Sequence, residues 1–255
     1  MHRIPKDHPR YISLRIRQRM VAGHDQKIAV PEGLLAHGRG EAFDYLLGER
    51  TRPEARLAIR AAAASLLLAE RPVLSVNGNV ASLVPEGIVR LARTLPRSVI
   101  EVNLFHRSEQ RARRIARALD VHGRGNVRIL AASADACLPG LSSQRARTFK
   151  AGMMAADVVL VPLEDGDRAE ALKRAKKKVL AIDLNPLSRT SRAADVTIVD
   201  NIVRAMPLLI GQVSDLKKMS PARLENILAS FDNRANLERI LRRMVRGLLK
   251  KDWSR

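Results

Sequence analysis

VVLVPLEDGDRAEALKRAKKKVLAIDLN, residues 158–185, decides the architecture. A short apolar run, Val158 to Val161, leads through a polar turn into a helix-forming stretch, Asp167 to Lys176, and then a second apolar run, Val179 to Ile182. Two short, continuously apolar segments joined by a helix read as parallel neighbours in one sheet, because a parallel pair needs a long crossover. The pattern repeats outward. Further runs rich in Val, Ile and Leu lie at Val73 to Val76, Val99 to Val102, Val127 to Leu130 and Val196 to Val199, and the stretches Glu86 to Leu95 and Glu109 to Leu119 supply more crossover helices. The expected fold is α/β: a Rossmann-like, doubly wound, mainly parallel sheet.

Additional helices flank this sheet. Pro9 to Gly23 predicts a short helix ended by glycine, a second helical region follows Gly40, and a third runs from Pro53 to Glu70. Its apolar part, Ala61 to Ala69, is too short for a bilayer and reads as a buried helix face. Beyond the sheet, Ser220-Pro221 supplies an N-cap with proline at the first helical position. In the last helix Leu237, Ile240, Leu241, Met244, Val245, Leu248 and Leu249 form one apolar stripe, suited to core packing or a dimer contact. The arginine-rich stretch Arg107 to Arg117 reads as one solvated helix face. A single α/β domain over residues 1–255 is expected, with a helical part at 1–70, the sheet at 71–200 and C-terminal helices at 201–255.

The 255 residues carry 46 Lys and Arg against 26 Asp and Glu, so the formal charge is 46 − 26 = +20 and an anionic partner is expected. A basic, non-catalytic nucleic-acid-binding protein is the competing class, weakened by an aromatic content of 3%, which leaves few stacking platforms. The single cysteine, Cys137, allows no intramolecular disulfide and no Cys/His metal spacing; it reads as a small buried thiol and fits a reducing cytoplasm. The N-terminus, MHRIPKDHPR, is not a secretory signal, and a soluble protein is expected.

Ligands of such sheets gather beyond the carboxyl ends of the strands, and here those ends carry polar clusters: SVNGN, EVNLFHR, VPLEDGDR, DLNPLSRTSR and VDNIVR. Asp183 is placed to accept from ribose hydroxyls, Asn185, Arg189 and Thr190 add donors, and Asp200 and Asn201 stand similarly after the last strand. Two such ends favour a nucleotide site. No GxxxxGK[ST] cradle exists, so phosphate contacts would fall to Arg17, Arg39, Arg189, Arg192 and main-chain amides. His37-Gly38-Arg39-Gly40-Glu41 suits a phosphate-approaching turn or, equally, an ordinary tight turn with an exposed arginine. Asn77 and Asn79 can recognise a carboxylate or hydroxyl, or merely mark a strand exit. Glu164, Asp165 and Asp167 can hold Mg²⁺ or an amine, with helix capping by Asp165 or Asp167 as the plain alternative. His37, Asn77, Asn79, Asp165 and Asp167 are the candidates for holding substrate; no catalytic base is named.

Taken together, HPRY (8–11), AHGRGEAFDYLLGE (36–49), SVNGN (75–79), VPLEDGDR (161–168), DLNPLSR (183–189) and ADVTIVDNIVRA (194–205) resemble the archaeal phosphopantothenate synthetase family, the 4-phosphopantoate:β-alanine ligases. The resemblance spans almost the whole chain and is weakest at 131–156 and in the basic tail. It implies a homodimeric, cytoplasmic enzyme of coenzyme A biosynthesis that joins 4-phosphopantoate to β-alanine, cleaving ATP to AMP and pyrophosphate with Mg²⁺. It places the ATP contacts on Arg17, Arg39, Asp183, Leu184, Asn185, Arg189, Thr190, Asn201 and Ile202. It gives no functional role to nucleic acid or membrane.

Overall fold

The computed structural model describes residues 4–249. Three helices come first, α1 (Tyr11–Asp25), α2 (Pro31–Leu47) and α3 (Pro53–Leu68). The chain continues through β1 (Pro72–Val76), α4 (Gly78–Leu83), α5 (Pro85–Thr94), β2 (Val99–Val102), α6 (Glu109–Gly123) and β3 (Ile129–Leu130). A small ribbon, β4 (Ala136–Cys137) with β5 (Arg147–Thr148), precedes β6 (Val158–Pro162), α7 (Gly166–Arg174), β7 (Lys178–Ile182), α8 (Arg189–Ala193) and β8 (Val196–Ile198). Helices α9 (Ile202–Leu216), α10 (Pro221–Ala229) and α11 (Asn233–Leu249) follow.

Six strands form the expected sheet in the order β3-β2-β1-β6-β7-β8, and every neighbouring pair is parallel. Side chains alternate between its faces. Leu74, Ile100, Leu160 and Leu180 enter a core shared with α3, α5, α6 and α9, whereas Val73, Val99, Val159 and Val179 enter a second core with Leu172 of α7. Both faces are covered, which is why the strands read as unbroken apolar runs. A third, smaller cluster joins Leu47 of α2, Leu184, Val199 and Ile240 of α11. From β1 the order runs outward through β2 to β3, and from β6 through β7 to β8, so the sheet reverses between β1 and β6 and its carboxyl edge opens there.

Several expectations are corrected. Helix α1 does not stop at Gly23 but passes through it to Asp25, because that glycine admits α4: a side chain there would strike Ser82. Helix α2 begins at Pro31, well before Gly40, and ends at Gly48, whose φ of 72° only glycine adopts cheaply. The stretch His37 to Glu41 is therefore helix interior, and its amides serve the helical ladder instead of a phosphate-cradling turn. Two interior glycines cost roughly 1 kcal/mol each; a Cβ at Gly40 would meet only Leu184 Cδ1, at an ordinary contact distance of 3.5 Å, so packing does not demand glycine there. Helix α3 stops at Leu68, β3 is confined to Ile129–Leu130, and α4 and the β4–β5 ribbon were not foreseen.

Cys137 is exposed, not buried, since its ribbon lies outside the main sheet. Arg107 is no part of a solvated face: its side chain is 2% exposed and donates to the carbonyls of Val102 and Ala131. Ser220 occupies the N-cap position of α10 but makes no capping bond with its side chain. In α11 the apolar stripe is covered only at Leu237, Ile240 and Met244, while Val245, Leu248 and Leu249 are exposed. Among the described residues, no helix is long and apolar enough to cross a membrane.

Candidate functional site

A cavity of about 600 Å³ opens at the carboxyl ends of β6 and β7. Its floor is the pair of loops that leave those strands, and its roof is α2, which presents His37, Arg39 and Phe43. Asn79 closes one side, its Nδ2 donating to the Gly33 carbonyl at 2.9 Å and so fixing α4 against α2.

The β7 loop is rigid for a local reason. Asp183 Oδ1 accepts from the Asn185 amide at 2.9 Å and Oδ2 from the Ser188 hydroxyl; Asn185 Oδ1 accepts from the Leu187 amide at 2.9 Å. Ser188 caps α8 by accepting from the Ser191 amide, and Thr190 donates from Oγ1 to the Glu164 carbonyl at 2.7 Å, tying this loop to the one after β6. Burial pushes the Asp183 carboxyl above its ordinary range, although both hydrogen bonds pull the other way. Leu184 is nearly buried with Leu47 and Ile240. Leu163, in the β6 loop, takes a left-handed φ of 51°, a conformation costly for a branched residue and held there by its amide's bond to the Ile182 carbonyl.

On the roof the side chains are freer. Arg39 is exposed and, among the described residues, makes no hydrogen bond or ion pair. His37 has a buried Nε2 without a partner, and burial holds its pKa below the usual imidazole value, so it is neutral at pH 7. Arg189 is tied to Glu170 at 2.7 Å but remains half exposed. The arrangement offers fixed acceptors at one end and an uncommitted guanidinium at the other, the requirements for a sugar and its phosphates.

Of the residues singled out from the sequence, Arg39, Asp183, Leu184, Asn185, Arg189 and Thr190 line this cavity, with His37, Asn79 and Asp165 beside them. Four others do not. Arg17 is held by Glu41 in a two-bond pair at 2.8 and 2.9 Å, on the far side of α2. Asn201 caps α9 and donates to Asp44, while Ile202 is buried. Asn77 has both amide ends engaged, accepting from Val80 N and donating to Leu163 O, so that it staples the end of β1 to the end of β6. Asp167 and Asp165 both hold Arg145, at 2.6 and 3.2 Å; Asp165, at the N-cap of α7, makes no capping bond, while Asp167 Oδ1 accepts from the first-turn amide of Arg168 at 3.0 Å.

The sequence reading missed three largely buried ion pairs, centred on two arginines. Arg204 bridges Asp44 and Asp200, and Arg168 Nε lies 3.2 Å from Glu164 Oε2 outside hydrogen-bonding geometry; burial pushes the Glu164 carboxyl up. The i,i+4 spacings Asp200–Arg204 and Glu164–Arg168 were the signal. The acidic run after β6 is committed to arginines, and the described residues contain no group of three or more His, Cys, Asp or Glu able to hold a metal ion.

Comparison with known proteins agrees with the sequence blocks. Residues 54–247 match the family described as phosphopantothenate/pantothenate synthetase. Similar curated proteins include the 4-phosphopantoate–β-alanine ligase of Thermococcus kodakarensis, 49% identical over 94% of this chain and 92% of that protein. The ligase of the same name from Methanosarcina mazei is 48% identical over 92% of this chain and 91% of its own length.

Proposed function

The chain belongs to the phosphopantothenate/pantothenate synthetase family, and from that premise we propose that it is a ligase that condenses 4-phosphopantoate with β-alanine at the expense of ATP. The observation that carries the reading is the pairing of a fixed Asp183–Asn185 loop with the unpaired Arg39 across one cavity. One α/β domain over residues 1–255 performs the reaction, as a homodimer in the cytoplasm, within coenzyme A biosynthesis.

In the proposed mechanism the carboxylate of 4-phosphopantoate attacks the α-phosphorus of ATP. The bond to the β-phosphate breaks, pyrophosphate leaves and an acyl-adenylate remains. The amine of β-alanine then attacks the acyl carbon, AMP leaves with the electron pair of the anhydride bond, and the amine gives up its proton. Asp183 and Asn185 orient the ribose, Thr190 and Arg189 stand at the helix α8 entrance, and Arg39 neutralises phosphate charge as it builds on the leaving group. Of the remaining expected contacts, Asn201 borders a narrow gap on the other side of His37, which lines both spaces, whereas Arg17 is paired with Glu41 and Ile202 is buried, so no nucleotide role is assigned to these three. Since no cluster of carboxylates on the described residues fits a metal, Mg²⁺ enters as the counter-ion of ATP and no step is assigned to it.

The test is to incubate the purified protein with 4-phosphopantoate, β-alanine and MgATP and to resolve the nucleotides. AMP and pyrophosphate formed together with an amide product support the reading. ADP as the product rejects the adenylate route, and the absence of amide rejects the ligase.

A further inference from the structure

One cation that no strand end supplies joins the exits of β2 and β6. Arg145 comes from the short turn Ser143–Ala146 between β4 and β5, in the stretch where the family resemblance is weakest. That stretch is fastened to the sheet: Glu101 of β2, fully buried, accepts from the Thr148 hydroxyl at 2.5 Å and from the Met153 amide at 2.7 Å, and the Leu138 amide donates to the Ala146 carbonyl. The guanidinium of Arg145 is held on two sides. Its Cζ lies 4.1 Å from the centroid of the Phe105 ring in the β2 exit, a cation–π contact. Its Nη2 reaches Asp167 Oδ1 at 2.6 Å and Asp165 Oδ2 at 3.2 Å, while its Nε is buried without a hydrogen bond.

Of this trio only Asp165 lines the nucleotide cavity. The next residue, Gly166, packs directly on Arg189, where a side chain would strike the Arg189 Cβ, so Asp165 stands beside the α8 entrance. One guanidinium and two carboxylates sum to 1 − 2 = −1. Without Arg145 the sum is −2, at the rim of a cavity read as the seat of a polyphosphate and within about one Debye length, roughly 8 Å, of the phosphate contacts. Resting on the nucleotide-site reading above, we propose that Arg145 is a positioning residue of the ligase: it touches no substrate and acts through Asp165, masking that charge so that the phosphates of ATP can approach Arg39 and Arg189. An unmasked Asp165 would also compete with phosphate for Arg189, which Glu170 already pairs.

The test measures MgATP affinity by calorimetry, without acid or amine substrate, across variants that change the charge of the trio. The wild type and Arg145→Lys stand at −1, Arg145→Gln at −2, the double variant R145Q/D165N at −1 and Asp165→Asn at 0. Affinity is expected to follow this charge and not the residue replaced. Arg145→Gln should raise Kd about tenfold, the effect of one further unit charge facing phosphate at a partly exposed site. R145Q/D165N should return Kd to near the wild-type value, Arg145→Lys should stay there, and Asp165→Asn should bind at least as tightly as the wild type. Asp165 makes no capping bond, so its replacement leaves α7 intact. AMP, with fewer charges, should be weakened less than ATP by Arg145→Gln. Rescue by Asp165→Asn is a result that a merely structural arginine would not give. Unchanged affinity in Arg145→Gln, or a loss that Asp165→Asn does not repair, would overturn the proposal. So would weaker binding in Asp165→Asn alone, which would make that carboxylate a direct contact of the nucleotide or its Mg²⁺. Should Arg145→Gln fail to fold, Asp165→Asn and Arg145→Lys still decide the matter by the same order. The charge order without any amide product would refute the ligase reading and leave the role of Arg145 standing; amide formation without the charge order would do the reverse.

Discussion

The exits of β7 and β8 are adjacent, parallel and similarly written, Asp183-Leu184-Asn185 in one and Asp200-Asn201 in the other, yet they have opposite fates. At β8 the polar groups are closed in: Asp200 is fully buried, Arg204 spans Asp200 and Asp44, Asn201 donates to Asp44, and Thr51 Oγ1 donates to Asp200 at 2.5 Å. At β7 equally ordered groups border an open cavity. The difference is α2. Its Asp44 descends onto the β8 exit and pins the helix, and the same pinning holds Arg39, further up the helix, over the β7 exit. A polar strand end becomes an anchor when a neighbouring helix supplies its partners, and a binding site when that helix is held at a distance. On this account the anchor positions the site.

The largest expected effect breaks the anchor. Arg204→Met leaves Asp44 and Asp200 buried without their cation, and unpairing buried charges costs about 3–5 kcal/mol. Urea denaturation is expected to show that loss, and ATP affinity should fall with it because α2 is no longer pinned; a variant as stable as the wild type would make the network ornamental. Arg39→Ala tests the other exit. It should lower kcat/KM about ten- to hundredfold, in line with a lost charge-assisted contact, with the unfolding midpoint unmoved, since Arg39 supports nothing in the fold.

Asp183→Asn sharpens the comparison further. The variant faces an amide group toward donors, Asn185 N and Ser188 Oγ, that now bond a carboxylate, so roughly 1–3 kcal/mol of stability is at stake. KM for ATP should rise while KM for β-alanine holds. The smallest effect belongs to Arg17, whose pair with Glu41 is on the surface and contributes within about 1 kcal/mol. Burial works against the Glu41 carboxylate, but the bonds from Arg17 and Tyr45 hold its pKa below the ordinary range. The stability it adds is complete above the unfolded pKa and is lost as the pH falls through the lower folded one. Arg17→Ala should therefore lower stability at neutral pH by no more than about 1 kcal/mol, leave it unchanged in strong acid, and so flatten the acid limb of a stability-versus-pH curve.

What the sequence made legible follows from periodicity. Runs such as Val158 to Val161 and Val179 to Ile182 carry the sheet because strands buried on both faces have no polar side to confuse the pattern. Glycines misled where their reason was tertiary. Gly23 and Gly40 read as helix boundaries, yet both lie inside helices; at Gly23 the reason is Ser82, which a side chain there would strike, and no local rule contains that neighbour. The site was legible as a set of strand ends, and Asp183, Asn185 and Thr190 do meet in one cavity. Which ends would be closed off was not legible, since it depends on where α2 lands. For the same reason Arg107 looked like one more surface arginine: only the carbonyls of Val102 and Ala131, brought together by the sheet, reveal it as buried.

The central claim is that the cavity between α2 and the β6 and β7 loops is the ATP site. A crystal structure of the chain with a non-hydrolysable ATP analogue tests it most directly. The account predicts the ribose within hydrogen-bonding distance of Asp183 or Asn185 and the phosphates beside Arg39. A nucleotide seated elsewhere, with Asp183, Asn185 and Arg39 untouched, would contradict it.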